Sequence, residues 1–288
     1  MKVVVTGADG QLGQALRRVA AHCCDHNFSF LGKGALDITD NAAVSKAVRG
    51  ADVVVNCAAY TNVEAAEDNE SLACEVNSTG AANLAQAAAH EKALLIHIST
   101  DYVYGAGENI PISETSLPRP LNVYGHSKWL GEKAIIDSAC RYIIIRTGWL
   151  FSLAGKNFVK TMLRLFAEKA ELRIVSDQIG TPTYAGDLAA VILRIINETA
   201  PTEGIYNYSN EGVCSWYDFA VAIAGLVGSS CVIHPCRSSE YICKAARPPF
   251  SVLDKTKIKT TFNFSIPHWY SALQHCIQNH YSEKIEID

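Results

Sequence analysis

KVVVTGADGQLG, residues 2–13, is the stretch that decides the fold. It joins a short apolar run to a helical pattern that begins at about Gln11, through three glycines spaced G-x-x-G-x-x-G. Glycine permits a tight turn and a close approach of the backbone to a ligand, and a helix N-terminus attracts phosphate. A strand, a glycine-rich turn and a helix in this order predict a dinucleotide site. Its predicted contacts in this turn are Gly7, Gly10, Gln11, Leu12 and Gly13.

The alternation of apolar runs and helical patterns continues to about residue 147. ADVVVNCAA (51–59), ALLIHIST (93–100) and RYIIIRT (141–147) are nearly continuous apolar runs, which are typical of strands buried on both faces. This order predicts an α/β fold, a Rossmann-type doubly wound parallel sheet. Right-handed crossovers bring the carboxyl ends of such strands to one edge, where ligands bind.

Beyond residue 147 the segments become shorter and richer in turns, as in QIGTPT (178–183). We therefore expect residues 1–150 to form a dinucleotide-binding domain, with return segments within 184–210. Residues 151–288 are expected to form mainly a smaller C-terminal substrate-binding region.

Composition excludes several classes of protein. The 288 residues are 49% hydrophobic with a net charge of −4, so no basic face for a nucleic acid is expected. No run approaches the roughly 18 apolar residues of a membrane helix, and no signal peptide precedes the first strand, so a cytoplasmic protein is expected. The ten cysteines form no C-x-x-C pair, so no metal site is predicted.

The end of the second predicted strand bears on the choice of cofactor. FSFLGK (28–33) carries Gly32 and Lys33 where NAD enzymes usually have an acid. Lys33 can neutralise a 2′-phosphate, so NADPH is expected, with NADH still open; otherwise Lys33 is a solvated loop charge. Asp37, followed by Ile38, is a candidate acceptor for the adenine amino group.

NVYGHSKWLGEK (122–133) places Tyr124 and Lys128 four residues apart, on one face of a helix. A nearby ammonium lowers the pKa of a phenol, so we expect Tyr124 to exchange protons near neutral pH. Upstream, IHISTDYVYG (96–105) ends a strand at Thr100, whose hydroxyl can hold a carbonyl oxygen. A solvated helix face is the other interpretation of the tyrosine and lysine. His97 has no evident base-like partner and is expected to be a packing or surface residue.

A resemblance to a known family extends over nearly the whole chain. It is carried by these motifs and by NCAAYTNVEAAE (56–67), RTGWLF (146–151) and ARPPFSVLDKTK (246–257). The sequence resembles the extended short-chain dehydrogenase/reductases and, among them, the dTDP-4-dehydrorhamnose reductases. The resemblance implies NAD(P)H-dependent reduction of the C4 keto group of a nucleotide-linked deoxysugar, and a homodimer.

The resemblance also implies roles for individual residues. The serine/threonine–tyrosine–lysine set of the family falls on Thr100, Tyr124 and Lys128. Cofactor contacts outside the glycine turn fall on Asp37, Ala58, Ala59, Tyr60 and Thr100. Sugar-side contacts fall on Tyr102, Trp149 and Arg247. Magnesium, which some relatives hold with a first-helix glutamate, is not carried over, because that stretch reads Gln14-Ala15 here.

Two other functions stay open. A nucleotide-sugar epimerase or 4,6-dehydratase shares the fold, but dehydratases usually carry a glutamate where this chain has Tyr102. A regulatory subunit like that of methionine adenosyltransferase resembles this family without catalysis, and the intact Thr100, Tyr124 and Lys128 weigh against it.

Overall fold

The computed structural model describes residues 1–23, 25–105, 107 and 109–285, with side chains up to residue 279. Its strands are β1 (Lys2–Thr6), β2 (Asn27–Leu31), β3 (Val53–Asn56), β4 (Leu94–Thr100), β5 (Arg141–Thr147), β6 (Leu150–Phe151), β7 (Glu171–Val175), β8 (Ile179–Gly180), β9 (Thr183–Tyr184), β10 (Gly204–Asn207), β11 (Cys214–Ser215) and β12 (Val232–Cys236). Its α-helices are α1 (Gln11–Ala20), α2 (Asn41–Val48), α3 (Val63–Asp68), α4 (Glu70–Cys74), α5 (Gly80–Glu91), α6 (Val123–Ile136), α7 (Phe158–Glu168), α8 (Ala185–Asn197), α9 (Trp216–Val227), α10 (Thr256–Phe262) and α11 (Trp269–Ile285). A π-helix (Glu75–Thr79) and two 3₁₀ turns (Asp101–Val103 and Ser238–Glu240) complete the helical segments of the described residues.

The main sheet of the described chain has six parallel strands in the order β2-β1-β3-β4-β5-β10. Thr6 pairs with Asn56, and Asn56 in turn with His97 on β4, so the carboxyl ends of these strands form one row. The order reverses around β1, and ligands bind at such a reversal. The prediction of a Rossmann-type doubly wound parallel sheet is confirmed.

Both faces of the sheet are buried, which explains the continuous apolar runs. Val53 and Ile143 face a core formed with α1, α8 and α10, whereas Val54 and Ile144 face α2, α5 and α6. Fully burying such a side chain contributes about 1.5–3 kcal/mol. The sheet edge is therefore a rigid support for the site.

The second half of the chain divides its packing between two cores. Helices α7, α9 and α11 form a separate apolar cluster, which includes Phe219 of α9, Leu273 of α11 and Phe151 of β6. Helix α8 packs on α1, β10 joins the main sheet beside β5, and α10 adds Phe262 to the first core. These contacts support the expected return within 184–210 and extend it to α10; the division into domains stays a proposal.

The nine cysteines of the described residues are free thiols. Within the same residues, no group of three or more histidine, cysteine, aspartate or glutamate side chains could hold a metal ion. No helix in this part of the chain is both long and apolar enough to cross a membrane.

Candidate active site

The glycine turn after β1 accepts only glycine at two positions. Gly7 has a φ of +64°, and a Cβ there would lie 2.5 Å from the backbone nitrogen of Ala58. A Cβ at Gly13 would lie 2.5 Å from the Cα of Ala8. Gly10 precedes α1, and no side chain caps this helix. The turn thus presents bare backbone and an uncapped helix N-terminus, which fit the pyrophosphate of a dinucleotide.

The side chains of Gln11 and Leu12 do not face this turn. The Oε1 of Gln11 accepts hydrogen bonds from Ser152 Oγ (3.0 Å) and Asn157 Nδ2 (2.9 Å), which ties α1 to the chain after β6. Leu12 is buried in the core. The backbone N–H groups of Gln11 and Leu12 therefore remain the groups by which they could meet a phosphate, and their role as contacts stays a prediction.

The end of β2 lies against Asp9, a contact that the sequence did not indicate. The carboxylate of Asp9, from the glycine turn, lies against Gly32, where any side chain would clash with it. Lys33 is exposed beside it. The carboxylate of Asp9 therefore lies against the residue that precedes Lys33, at the place where the 2′ position of a cofactor ribose is expected.

Asp37 is exposed, but its carboxylate is already engaged. Its Oδ1 accepts hydrogen bonds from the backbone N–H (3.0 Å) and the hydroxyl (2.8 Å) of Thr39, and these bonds lower the pKa of Asp37. The side chain of Ile38 is buried against Gly80. Contact of Asp37 and Ile38 with an adenine stays a prediction.

The loop after β3 is fixed by Asn77, a buried residue of the π-helix. Asn77 accepts a hydrogen bond from the N–H of Tyr60 (2.8 Å) and donates to the Tyr60 carbonyl (3.0 Å). It also donates to Ser127 Oγ on α6 (2.9 Å). Asn77 therefore couples Ala58, Ala59 and Tyr60 to the helix that carries Tyr124. π-Helical turns often occur at functional sites, but nothing in the sequence pattern marks this one.

Thr100 and Tyr124 meet at the carboxyl end of β4. Tyr124 lies in the first turn of α6, which Asn122 caps by accepting from Gly125 N (2.8 Å), and its phenol lies near the hydroxyl of Thr100, which donates to Asp101 Oδ1 (3.1 Å). Thr100 Oγ1 accepts from the N–H of Tyr102 (3.2 Å). The rings of Tyr102 and Tyr124 are edge to face with centroids 5.9 Å apart. The predicted Thr100, Tyr102 and Tyr124 therefore form one cluster.

The pKa of Tyr124 differs from the expectation. Burial raises the pKa of Tyr124 to about 12, the neighbouring hydroxyl of Thr100 opposes this rise, and the nearby Asp101 adds to it. Burial also raises the pKa of Asp101 to about 6. The prediction that Lys128 lowers the pKa of Tyr124 is wrong for this structure, because desolvation dominates and Lys128 faces β4.

Lys128 is buried and turned toward the strand. Its Nζ donates to the carbonyl of Ile98 (2.7 Å) and lies 3.2 Å from His97 Nε2. Burial lowers the pKa of Lys128 to about 8, against the opposing influence of Glu132 and Cys57. Of the two expectations for His97, the buried packing position agrees with the structure and the surface position does not; the contacts of His97 with Asn56 and Lys128 were not predicted.

A buried ion pair fixes α6 on the sheet. Glu132 Oε1 and Oε2 accept hydrogen bonds from Nε (2.9 Å) and Nη2 (2.5 Å) of Arg146 on β5. Arg146 Nη1 donates to the hydroxyl of Tyr104 (2.7 Å). Because breaking such a pair leaves a buried charge without a partner, these contacts hold Tyr124 and Lys128 in register with β4 and β5.

Trp149 follows β5 in a strained backbone conformation, with a φ of +50°. Its ring stacks on Trp216 of α9 with centroids 3.5 Å apart and planes 7° apart, and Gly180 lies against the same ring. The stacked pair offers an aromatic surface of the kind that suits sugars and bases.

Arg247 is held near Tyr102 by an ion pair with α3. Its Nη2 donates to Glu64 Oε1 on α3 (2.9 Å), and its charge lowers the pKa of Tyr102, which burial raises. Arg247 Nε is buried and has no hydrogen-bond partner within the described residues. A buried donor without a partner is costly, so this group is suited to an oxygen-bearing ligand.

Comparison with known proteins gives one consistent family. The family model described as RmlD substrate binding domain matches residues 1–282. The chain is 37% identical over 285 residues to dTDP-4-dehydrorhamnose reductase of Aggregatibacter actinomycetemcomitans, with 95% of this chain and 97% of the relative covered.

Solved structures of similar proteins have the same fold. The structure of a dTDP-4-dehydrorhamnose reductase from Clostridium acetobutylicum matches with a TM-score of 0.94 at 37% identity, over 98% of this chain and 100% of that one. The reductase of Bacillus anthracis in complex with NADP matches with a TM-score of 0.91 at 35% identity, over 96% and 99% of the two chains.

Proposed function

This chain belongs to the dTDP-4-dehydrorhamnose reductase family, and from that premise we propose that it reduces the C4 keto group of dTDP-4-dehydro-L-rhamnose to give dTDP-L-rhamnose. It is an NAD(P)H-dependent oxidoreductase with NADPH as its expected cofactor. The fold supplies the site at the carboxyl edge of a doubly wound sheet, beside a bare glycine turn.

The placement of the Tyr124 phenol near the hydroxyl of Thr100, at the carboxyl end of β4, is the observation that carries the proposal. A phenol whose pKa is raised to about 12 keeps its proton at neutral pH, which is the state that a proton donor needs. Thr100 fixes the position of this phenol at the end of β4. The pair can therefore receive a carbonyl oxygen between its two hydroxyl groups.

The residues of the chain supply geometry and a proton. When bound, the nicotinamide supplies a hydride to the keto carbon. Tyr124 donates its phenolic proton to the carbonyl oxygen, and the hydroxyl of Thr100 orients that oxygen. Lys128, one turn further along α6, serves as a hydrogen-bonding partner for the cofactor ribose. Because these groups lie on rigid elements before the substrate arrives, little ordering remains for the reaction itself.

The C-terminal half supplies the contacts to the sugar nucleotide. Arg247 offers its unpartnered Nε to the diphosphate, and guanidinium groups recognise phosphate oxygens well. Trp149, stacked on Trp216, provides an aromatic wall, and Tyr102 lies near both Arg247 and Tyr124. Tyr102 also argues against sugar dehydration, because water elimination uses a carboxylate at that place in the dehydratases.

We also propose that the enzyme works in the cytoplasm and as a homodimer. The free thiols of the described residues agree with a reducing compartment. The homodimer rests on the resemblance to the family.

The test is a panel of nucleotide-linked 4-keto sugars incubated with the enzyme and NADPH, with the product analysed by NMR. We expect oxidation of NADPH with dTDP-4-dehydro-L-rhamnose and a product with rhamnose configuration at C4. A product with the other C4 configuration would keep the reductase and overturn the sugar assignment. No turnover with any member of the panel, despite tight NADPH binding, would favour the regulatory-subunit function.

A further inference from the structure

The end of β2 lacks an acidic residue in the sequence, but a carboxylate from the glycine turn lies there. Gly32 stands where NAD enzymes usually carry the aspartate or glutamate that binds the 2′-hydroxyl of the adenosine ribose. A Cβ at Gly32 would lie at most 2.6 Å from Cγ, Oδ1 and Oδ2 of Asp9. The carboxylate of Asp9 therefore occupies the place where the side chain of that acid would begin.

Hydrogen bonds of the glycine turn hold Asp9 in this position. The backbone N–H of Ala8 donates to the carbonyl of Leu31 (3.1 Å), the last residue of β2. On the other side, Nε2 of Gln14 donates to the backbone carbonyl of Asp9 (2.7 Å). The backbone of Asp9 is thus tied both to β2 and to α1. The side chain of Asp9 is exposed, so its carboxylate is accessible to a ligand.

The two cations near the end of β2 have other neighbours. The pKa of Asp37 is lowered by its hydrogen bonds from Thr39 and further by the charge of Lys33, so the ammonium of Lys33 acts on that carboxylate. The guanidinium of Arg17 lies over the ring of Phe30, 4.7 Å from its centroid. A 2′-phosphate at this place would therefore meet an acid as well as positive charge.

A carboxylate distinguishes the two nicotinamide cofactors because an ionised carboxylate can only accept hydrogen bonds. The 2′-hydroxyl of NADH is a donor, whereas the 2′-phosphate of NADPH brings acceptor oxygens and negative charge. We propose that Asp9 is a specificity-determining residue that binds the 2′-hydroxyl of NADH and opposes the 2′-phosphate of NADPH. Asp9 thereby limits the preference that Lys33 gives to NADPH and makes NADH a second cofactor of this chain.

This assignment rests on the proposed function and deepens it by naming a residue that sets the choice of cofactor. Asp9 and Lys33 act in opposite directions, and both are exposed. We therefore expect the wild-type protein to bind NADPH only a few-fold more tightly than NADH. Because the assignment concerns binding of the dinucleotide, it can be tested without the keto sugar.

The first test is fluorescence titration of the full-length protein and its Asp9→Ala variant with NADH and with NADPH. We expect the affinity for NADH to fall by about three- to tenfold, because a hydrogen bond to a charged acceptor is lost at an exposed site. The affinity for NADPH should rise by a few-fold, because a like charge is removed. A folded variant with an unchanged ratio of the two dissociation constants would overturn the proposal.

The second test changes the ligand instead of the protein. NADH whose adenosine ribose lacks the 2′-hydroxyl should bind the wild-type protein about three- to tenfold more weakly than NADH does. The same two ligands should bind Asp9→Ala with nearly equal affinity, since the two changes remove one interaction and are not additive. Equal affinity of the wild-type protein for both ligands would overturn the proposal without any variant.

Two other aspartates serve as controls. Asp25→Ala removes the same charge before the amino end of β2 and should leave the ratio of the dissociation constants unchanged. Asp37→Ala removes a predicted adenine contact and should weaken NADH and NADPH alike. A shift in the ratio with Asp37→Ala as large as that with Asp9→Ala would assign the hydroxyl to Asp37 and contradict the role of Asp9.

Failure of this proposal and failure of the proposed function give different results. A protein that reduces the keto sugar, but whose cofactor ratio does not respond to Asp9→Ala, keeps the function and loses the role of Asp9. A protein whose ratio shifts as expected, but which reduces no keto sugar, keeps the role of Asp9 and loses the function.

Discussion

Two parts of the site are held in place by different forces. The catalytic edge comprises Thr6, Asn56, His97, Thr100, Tyr124 and Lys128. Its polar contacts are short hydrogen bonds between neighbouring strands and α6, most of them buried. The sugar-side wall comprises Trp149, Trp216 and Arg247. It is held by ring stacking and by an ion pair whose Glu64 is 39% exposed.

Because of this difference, we expect the catalytic edge to determine the chemical step and the sugar-side wall to determine substrate binding. Buried hydrogen bonds are strong in a low dielectric and rigidify their surroundings, whereas an exposed ion pair contributes only about 0–1 kcal/mol. The catalytic edge is therefore fixed before substrate binds, and the sugar-side wall can adjust to the substrate. Substitutions at the edge should lower kcat, and substitutions in the wall should raise KM.

Tyr124→Phe should produce the largest effect. We expect kcat to fall by roughly 10²–10⁴-fold, because the proton donor is lost while the glycine turn and Lys128 remain. NADPH affinity, measured by fluorescence titration, should be unchanged. Turnover near the wild-type value would remove Tyr124 from the mechanism.

Lys128→Met should impair NADPH affinity and, because the cofactor is then less well positioned, also kcat, each by about tenfold or more, since Lys128 is the proposed hydrogen-bonding partner of the cofactor ribose. Steady-state kinetics and NADPH titration check this expectation. A variant that changes only in stability would show that this helix face has no catalytic role.

The same variant tests the pKa of Lys128 through folding stability. The folded-state pKa of about 8 lies below the ordinary value of 10.5, so the unfolded chain binds the extra proton between these values. Wild-type stability should therefore gain from this group as the pH rises from 8 to 10.5, and lose that gain as the pH falls. Thermal unfolding of Lys128→Met should lack this contribution; identical pH dependence in both proteins would contradict it.

Arg247→Ala should raise KM for the nucleotide sugar by roughly tenfold with little change in kcat, since the guanidinium binds the diphosphate in ground and transition states alike. Lys244→Ala is the control, because Lys244 forms the adjacent exposed pair with Asp68 and should leave KM unchanged. A fall in kcat with constant KM would place Arg247 in the chemistry instead.

Lys33→Asp should have a smaller effect, a few-fold loss of preference for NADPH over NADH. Lys33 is exposed, and an exposed charge contributes little. The comparison of kcat/KM for both cofactors in wild type and variant measures it. Equal efficiency with both cofactors in the wild-type enzyme would contradict the expected preference.

Removal of divalent metal should have no effect on turnover. Gln14 and Ala15 stand where some relatives have a metal-binding glutamate, and the described residues contain no cluster of three or more histidine, cysteine, aspartate or glutamate side chains that could hold a metal ion. Activity that is lost in EDTA and restored by magnesium would show that a metal takes part.

Local motifs were predictable from the sequence, and contacts over long sequence distances were not. The glycine turn and the spacing of Tyr124 and Lys128 are properties of short continuous segments. His97 lies 41 residues from Asn56 and 31 from Lys128, so its partners appear only when the strands are aligned. The direction of the Tyr124 pKa was wrong for a related reason: residue spacing does not indicate desolvation.

Trp149 and Arg247 of the sugar-side wall were predicted from the sequence, but the residues that they contact were not. Arg247 and Glu64 are 183 residues apart, and no periodic pattern links them. The stacking of Trp149 on Trp216 likewise joins the end of β5 to α9. The position of Asp9 against Gly32 was also missed, because it depends on how the glycine turn lies over β2.

Proton donation by Tyr124 during reduction of the keto sugar by NADPH is tested most directly by single-turnover stopped flow. Enzyme loaded with NADPH is mixed with dTDP-4-dehydro-L-rhamnose, and nicotinamide absorbance is followed for wild type and Tyr124→Phe. We expect one NADPH to be oxidised for each sugar reduced by the wild type, and a rate roughly 10²–10⁴-fold slower for the variant at equal NADPH occupancy. Equal rates in the two proteins, or no oxidation by a wild type that binds NADPH tightly, would contradict this mechanism.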